Sequence, residues 1–274
     1  MAGDHAATGL PWQPLAAELA GTALLVLIGL SLVIVMFGAG SPLPQWIPDE
    51  GLRRLGTGFL FGTTGALIAL SPLGKESGAH INPVVTLGFW MMGKLEARIA
   101  IGYVVAQLVG ACVGSLPLLA WGAMGRSVEF GATLPGAGFS LGVVLLGEVV
   151  TTFTMVSLLS TFLGFRVIRP WTPALFPFLY AIMVWLEAPI SGTSTNPARS
   201  LGPALIAGEW QGWWIYWLGP LIGTVLAVIA CSQLAKRIEV AKLYHFDSDH
   251  RRIFRTEGNQ PRGYRRRLGG RPEE

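Results

Sequence analysis

Six stretches of the chain, near residues 15–37, 56–73, 97–122, 138–163, 171–189 and 213–235, are apolar over the ~20 residues a helix needs to cross a hydrocarbon core. In hydrocarbon every backbone N–H and C=O must be satisfied inside the structure, so runs of this length fold as helices. Of the 274 residues 51% are hydrophobic and only 13% charged, too apolar a balance for an ordinary soluble domain. The reading is an all-α, multi-pass integral membrane protein with six transmembrane helices, embedded in a lipid bilayer. Two further apolar, helix-compatible pieces, residues 83–93 and 197–207, are half as long and reach only ~15 Å each. Laid end to end they would cross the membrane once, as two re-entrant half-helices.

Charge is unevenly spread. Eleven of the 20 Lys and Arg residues lie from Lys236 onward, so the basic balance describes a solvated tail, residues 236–274. There is no basic stripe with interleaved aromatics, and no nucleic-acid partner is expected. Residues 1–14 contain no Lys or Arg and the first apolar run is long enough to span, which predicts a short N-terminal segment and no cleavable leader. Lys75, Lys94, Arg98, Arg166, Arg169 and the tail fall on one side, Arg53, Arg54 and Arg126 on the other. The positive-inside rule then places both termini in the cytoplasm, in the plasma (inner) membrane. Cys112 and Cys231 sit in apolar runs and suit packing, not a disulfide framework or a metal site. No cofactor, metal or enzymatic nucleophile is expected.

The chain repeats itself. "SGAHINPVVT" at 77–86 and "SGTSTNPARS" at 191–200 place Ser-Gly and Asn-Pro at the same spacing, 114 positions apart (77 to 191, 82 to 196). "YVVAQLVG" at 103–110 answers "YWLGPLIG" at 216–223, and "ELAGT" at 18–22 answers "EVVTT" at 148–152. Residues 15–235 are therefore read as two copies, about 15–122 and 138–235, each holding three spans and a half-helix. Three spans is an odd number, so the second copy must insert upside down, an inverted repeat.

In each copy Asn before Pro is the N-cap and N1 pair that opens a helix. Asn82-Pro83 and Asn196-Pro197 would then start the two half-helices, with N-termini aimed at the midplane from opposite sides. Each terminus carries roughly half a positive charge, and each capping amide has N–H donors to spare. Such a centre suits an oxygen lone pair and repels a cation. The polar stretches before each Asn are expected to be extended, with carbonyls lining a route inward and Gly78 and Gly192 permitting unusual backbone shapes. Arg199, three residues past Asn196, shares its helix face, and an intramembrane arginine is a functional candidate by default.

"AELAGT", "SGAHINPVVT", "AQLVGA", "GEVVTT", "SGTSTNPARSLGPA" and "WIYWLGP" together resemble the aquaporin, or major intrinsic protein, family from about residue 15 to 235. The first box departs from the usual Asn-Pro-Ala, with Val84 in the third place. The resemblance implies a homotetramer with one pore per chain, passing water or small neutral solutes. It implies an outer constriction of Arg199, Thr193, Val184 where water-selective members place histidine, and an aromatic on the second span. Counting without a gap puts Gly62 there, and aligning the "FG" pairs puts Phe61, the favoured choice. Val184 points to a wider, less polar constriction, whereas Ser200, Ala204 and the Tyr216-Trp217 pair point to water.

Glu18 and Glu148 hold equivalent places in the two copies, and buried carboxylates are costly unless hydrogen-bonded. They are expected to brace the re-entrant loops, and His80 to brace its loop or to guard the cytosolic side. Gln107, Gly110 and Gly223 suit close helix packing, and Glu187 a solvated helix end. The leading function is a passive water channel that excludes protons and ions. The alternatives are a glycerol or small neutral solute facilitator and, from another class, a transporter whose Glu18 and Glu148 carry protons.

Overall fold

A computed structural model describes residues 11–239 and 241–243. Most of the tail read as 236–274, and most of the N-terminal segment 1–14, lie outside the described residues. Eight principal helices, among the described residues, follow in order: α1 (Trp12–Phe37), α2 (Glu50–Leu70), α3 (Pro83–Met91), α4 (Ala97–Ser115), α5 (Leu141–Gly164), α6 (Thr172–Ser191), α7 (Pro197–Ala207) and α8 (Ile215–Ala230). Helices α3 and α7 are the half-length pieces. Four spans are long and apolar enough by themselves to cross a membrane; α2 opens with Glu50, Arg53 and Arg54, and α8 is shorter.

Packing respects the duplication. α1 lies on α4 in the first copy as α5 lies on α8 in the second, and α2 packs on α6 across the two. Each half-helix also touches the last span of the opposite copy, α7 on α4 and α3 on α8. Glycines at four-residue spacing bring backbones together in these seams, since lipid supplies no hydrophobic force between helices and close contact must. A Cβ on Gly58 would stand 2.2 Å from the Tyr180 carbonyl oxygen, and one on Gly62 2.3 Å from that of Phe176. Gly110 and Gly114 meet the Leu19 and Ala23 carbonyls in the same way, and Gly223 that of Val149. Large apolar side chains such as Ile101, Leu146, Phe178 and Ile182 face outward, the surface a bilayer covers.

The loops before α3 and α7 depart from the extended form expected of them. Ser77 ends a short helix, Pro72–Ser77, and Ser191 ends α6; each is followed by a glycine in the left-handed region, Gly78 at φ 89° and Gly192 at φ 83°. Beyond them Ala79, Ile81, Thr193 and Thr195 also have positive φ, between 42° and 52°. Side-chain-bearing residues adopt this shape at a cost of about 1–3 kcal/mol each, so something must hold them.

Candidate functional site

The holding groups are Glu18 on α1 and Glu148 on α5. Both are fully buried. Glu18 accepts from the backbone N–H of His80 at 2.9 Å and of Ile81 at 2.7 Å. Glu148 accepts from Ser194 N–H at 2.7 Å and Thr195 N–H at 2.9 Å. Hydrogen bonds to a charged acceptor contribute about 1.5–3 kcal/mol each, the same size as the strain they oppose. Gln107 adds a donor to Glu18 at 2.7 Å and links it to Thr86 at 2.9 Å; Ser191 Oγ donates to Glu148 at 2.5 Å. His80 Nε2 donates to the Ala241 carbonyl at 2.9 Å, and its Nδ1 lies 3.1 Å from Thr86 Oγ1. Gln107 is thus a polar strut as well as a packing residue.

Both half-helices open at the Asn-Pro steps. Asn82 Oδ1 accepts from Val84 N–H at 3.0 Å, and Asn196 Oδ1 from Ala198 N–H at 3.0 Å and Arg199 N–H at 3.3 Å, with Pro83 and Pro197 in the first turns. The amide nitrogens cross between copies: Asn82 Nδ2 donates to the Thr195 carbonyl at 2.9 Å and Asn196 Nδ2 to the Ile81 carbonyl at 3.0 Å. An amide has two N–H groups, so each asparagine keeps one after stapling the opposite loop. Both asparagines line a cavity of about 40 Å³, together with His80, Ile81, Phe61 and Tyr180.

A larger cavity, about 210 Å³, lies on the α7 side and is lined by Phe61, Val184, Thr193 and Arg199 together. Phe61 and Tyr180 border both cavities and stack on each other, ring centroids 5.6 Å apart. Gly29 on α1 leaves room for that phenyl ring, since a Cβ there would sit 2.4 Å from it. Gly62 lines the small cavity but not the large one. Arg199 is buried and its Nη1 donates to the Gly131 carbonyl at 2.8 Å, which ties α7 to the loop before α5. Ser200 sits behind it, 2.5 Å from Ser194 Oγ and 2.7 Å from Thr133 Oγ1.

Sequence reasoning passed over Tyr180. Its hydroxyl lies 2.9 Å from Thr195 Oγ1 and donates to Met155 Sδ at 3.3 Å; four residues before Val184, it falls on the same helix face, a signal that was available. Glu187 is a correction. Instead of a solvated helix end it is 6% exposed, in space that Gly147 leaves by lacking a Cβ.

Similarity to known proteins bears on this arrangement. The family model described as major intrinsic protein matches residues 6–231. Aquaporin AqpM of Methanothermobacter marburgensis is 36% identical over 80% of this chain and 95% of its own length. The probable aquaporin AqpM of Archaeoglobus fulgidus is 34% identical over 80% and 96%, and the lens fiber major intrinsic protein of Gallus gallus 32% over 80% and 79%. Among solved structures, the aquaglyceroporin from Plasmodium falciparum superposes with a TM-score of 0.64, covering 81% of this chain and 96% of that one at 18% identity, a likeness of fold. With two capped, mutually stapled half-helices inside six apolar spans, the chain belongs to the major intrinsic protein family of membrane channels.

Proposed function

We propose that the protein is a passive water channel that excludes protons and ions and also admits small neutral solutes. One observation carries the reading: Phe61, Val184, Thr193 and Arg199 line a single cavity, and Phe61 and Tyr180 of its wall also line the chamber bordered by both asparagines. A water entering there meets the Arg199 guanidinium first. At the centre its oxygen accepts from the spare N–H of Asn82 and of Asn196, so both its hydrogens point away, and a proton cannot be handed along the file without a reversal at the middle. Two helix N-termini and a guanidinium raise the barrier to a cation further. The unit is a homotetramer, with residues 15–235 as the channel, in the plasma (inner) membrane with both termini cytoplasmic.

A glycerol or small neutral solute facilitator is the second reading. Val184 favours it, because an apolar side chain stands where a donor would narrow and polarise the opening. Proton-coupled transport finds no support in Glu18 and Glu148, whose oxygens are spent on loop N–H groups.

Stopped-flow light scattering on proteoliposomes tests all three. Rapid osmotic shrinkage independent of any pH gradient supports the water channel. Fast reswelling on glycerol supports the facilitator, and transport that demands a proton gradient would sink both.

A further inference from the structure

The two re-entrant loops are copies, yet their mouths differ. The cavity that Gly192 and Thr193 line holds about 210 Å³; the chamber that His80, Ile81 and Asn82 of the other loop line is about 40 Å³. Three residues of the chain's own C-terminal stretch, 241–243, are laid into the loop at Gly78. Leu243 N–H donates to the Gly78 carbonyl at 2.9 Å, Ala241 O accepts from His80 Nε2 at 2.9 Å, and Lys242 Nζ donates to the Lys75 carbonyl at 2.6 Å. Leu243 lines the small chamber together with Asn82 and Asn196. Ala241, Lys242 and Leu243 are all buried. The fit depends on Gly78, whose missing Cβ would stand 2.7 Å from the Ala241 oxygen.

Just before these residues the chain is moored. Glu239 pairs with Arg169 at 2.9 Å and Arg166 at 3.1 Å, and Arg169 Nη2 also donates to the Arg237 carbonyl at 3.1 Å. Burial opposes ionisation of Glu239, but the charges and hydrogen bonds of Arg169 and Arg166 together outweigh it and hold its carboxyl below the usual range, so the mooring stays charged. Ile238, beside it, is 2% exposed and packs into the core.

We propose that residues 241–243, moored through Glu239, form a plug that shuts the conduit on the Gly78 side, and that conduction requires its release. The plug consumes hydrogen-bonding groups a permeating water would use, the Gly78 carbonyl and the His80 ring, and sets the apolar Leu243 side chain against the asparagine chamber. It is an intramolecular gate, since both latch and stopper belong to this chain.

The proposal rests on the water-channel reading, and the test separates the two. Full-length protein, Glu239→Arg and Leu243→Ala are reconstituted and compared by osmotic shrinkage per unit of protein. A mostly closed two-state gate opens in proportion to its weakened latch, so each variant should raise water permeability on the order of tenfold. Equal, high permeability in all three overturns the plug and leaves the channel; vesicles as tight as protein-free ones in all three overturn the channel reading and the gate with it. Seating is read separately in a Cys112→Ala, Cys231→Ala background. Leu243→Cys should react with maleimide far more slowly than Lys236→Cys on the exposed turn, and adding Glu239→Arg should speed it. Equal rates for the two cysteines would overturn the proposal.

Discussion

Arg199 places a guanidinium in the larger cavity while its backbone N–H helps to cap α7. Replacing it with valine removes the charge and keeps the cap, so the half-helix survives and the electrostatic barrier falls. Arg199→Val should raise proton leak, followed with a pH-sensitive dye inside vesicles, by on the order of tenfold, the factor that about 1.4 kcal/mol of barrier represents; an unchanged leak would remove Arg199 from the path. Glu148 offers a different test. Glutamine has one acceptor oxygen where the carboxylate has two, so in Glu148→Gln one of the Ser194 and Thr195 N–H groups faces an amide NH2 and goes unpaired. The cost should be about 1–3 kcal/mol, read as a lowered thermal midpoint in detergent, and Glu18→Gln should match it because Glu18 holds the equivalent pair. These carboxylates, the asparagine caps and Arg199 were legible because each is a polar residue where only function or bracing justifies one. Glu187 was misread for the converse reason, since Pro189 beside it suggested a helix end and nothing local marks the space left by Gly147.

Among the elements, the glycine seams set how close the spans lie. Gly62→Ala would drive a Cβ to 2.3 Å from the Phe176 carbonyl oxygen, and backbone there cannot step aside cheaply. A destabilisation of about 1–3 kcal/mol is expected from such overpacking, visible as a lower unfolding midpoint and earlier aggregation on size exclusion. Gly142→Ala, where the nearest atom is Ser140 Oγ at 3.9 Å, should be neutral or stabilise by up to about 1 kcal/mol. Helix extents followed closely from hydropathy: the half-helix expected at 197–207 is Pro197–Ala207, and that at 83–93 is Pro83–Met91. The loops before them did not follow, because Ala79, Ile81, Thr193 and Thr195 take left-handed shapes against their own preference. Those conformations are imposed by carboxylates more than 40 residues away in sequence, and no local pattern encodes them.

At the scale of the whole molecule the outer surface is the bilayer's. Ile182, midway along α6, is 54% exposed and faces outward. Ile182→Arg puts a charge at depth, about 2.5–3.5 kcal/mol by insertion scales, and should cut the yield of protein extracted from membranes relative to Ile182→Leu. The two-copy plan was readable from spacing alone, since span count fixes the inversion. The seating of residues 241–243 against Gly78 was not, because it joins parts of the chain more than 160 residues apart through backbone groups that every sequence possesses.

The crossed asparagine staples also bear on biogenesis. Asn82 finds its acceptor only in Thr195, 113 residues downstream, and Asn196 returns the bond to Ile81. At roughly 5–20 residues per second of synthesis, the earlier re-entrant piece leaves the ribosome on the order of ten seconds before its anchor exists. Until then its polar backbone needs shelter from acyl chains, which makes the insertion machinery or a water-filled vestibule an obligatory nursery for the nascent first half.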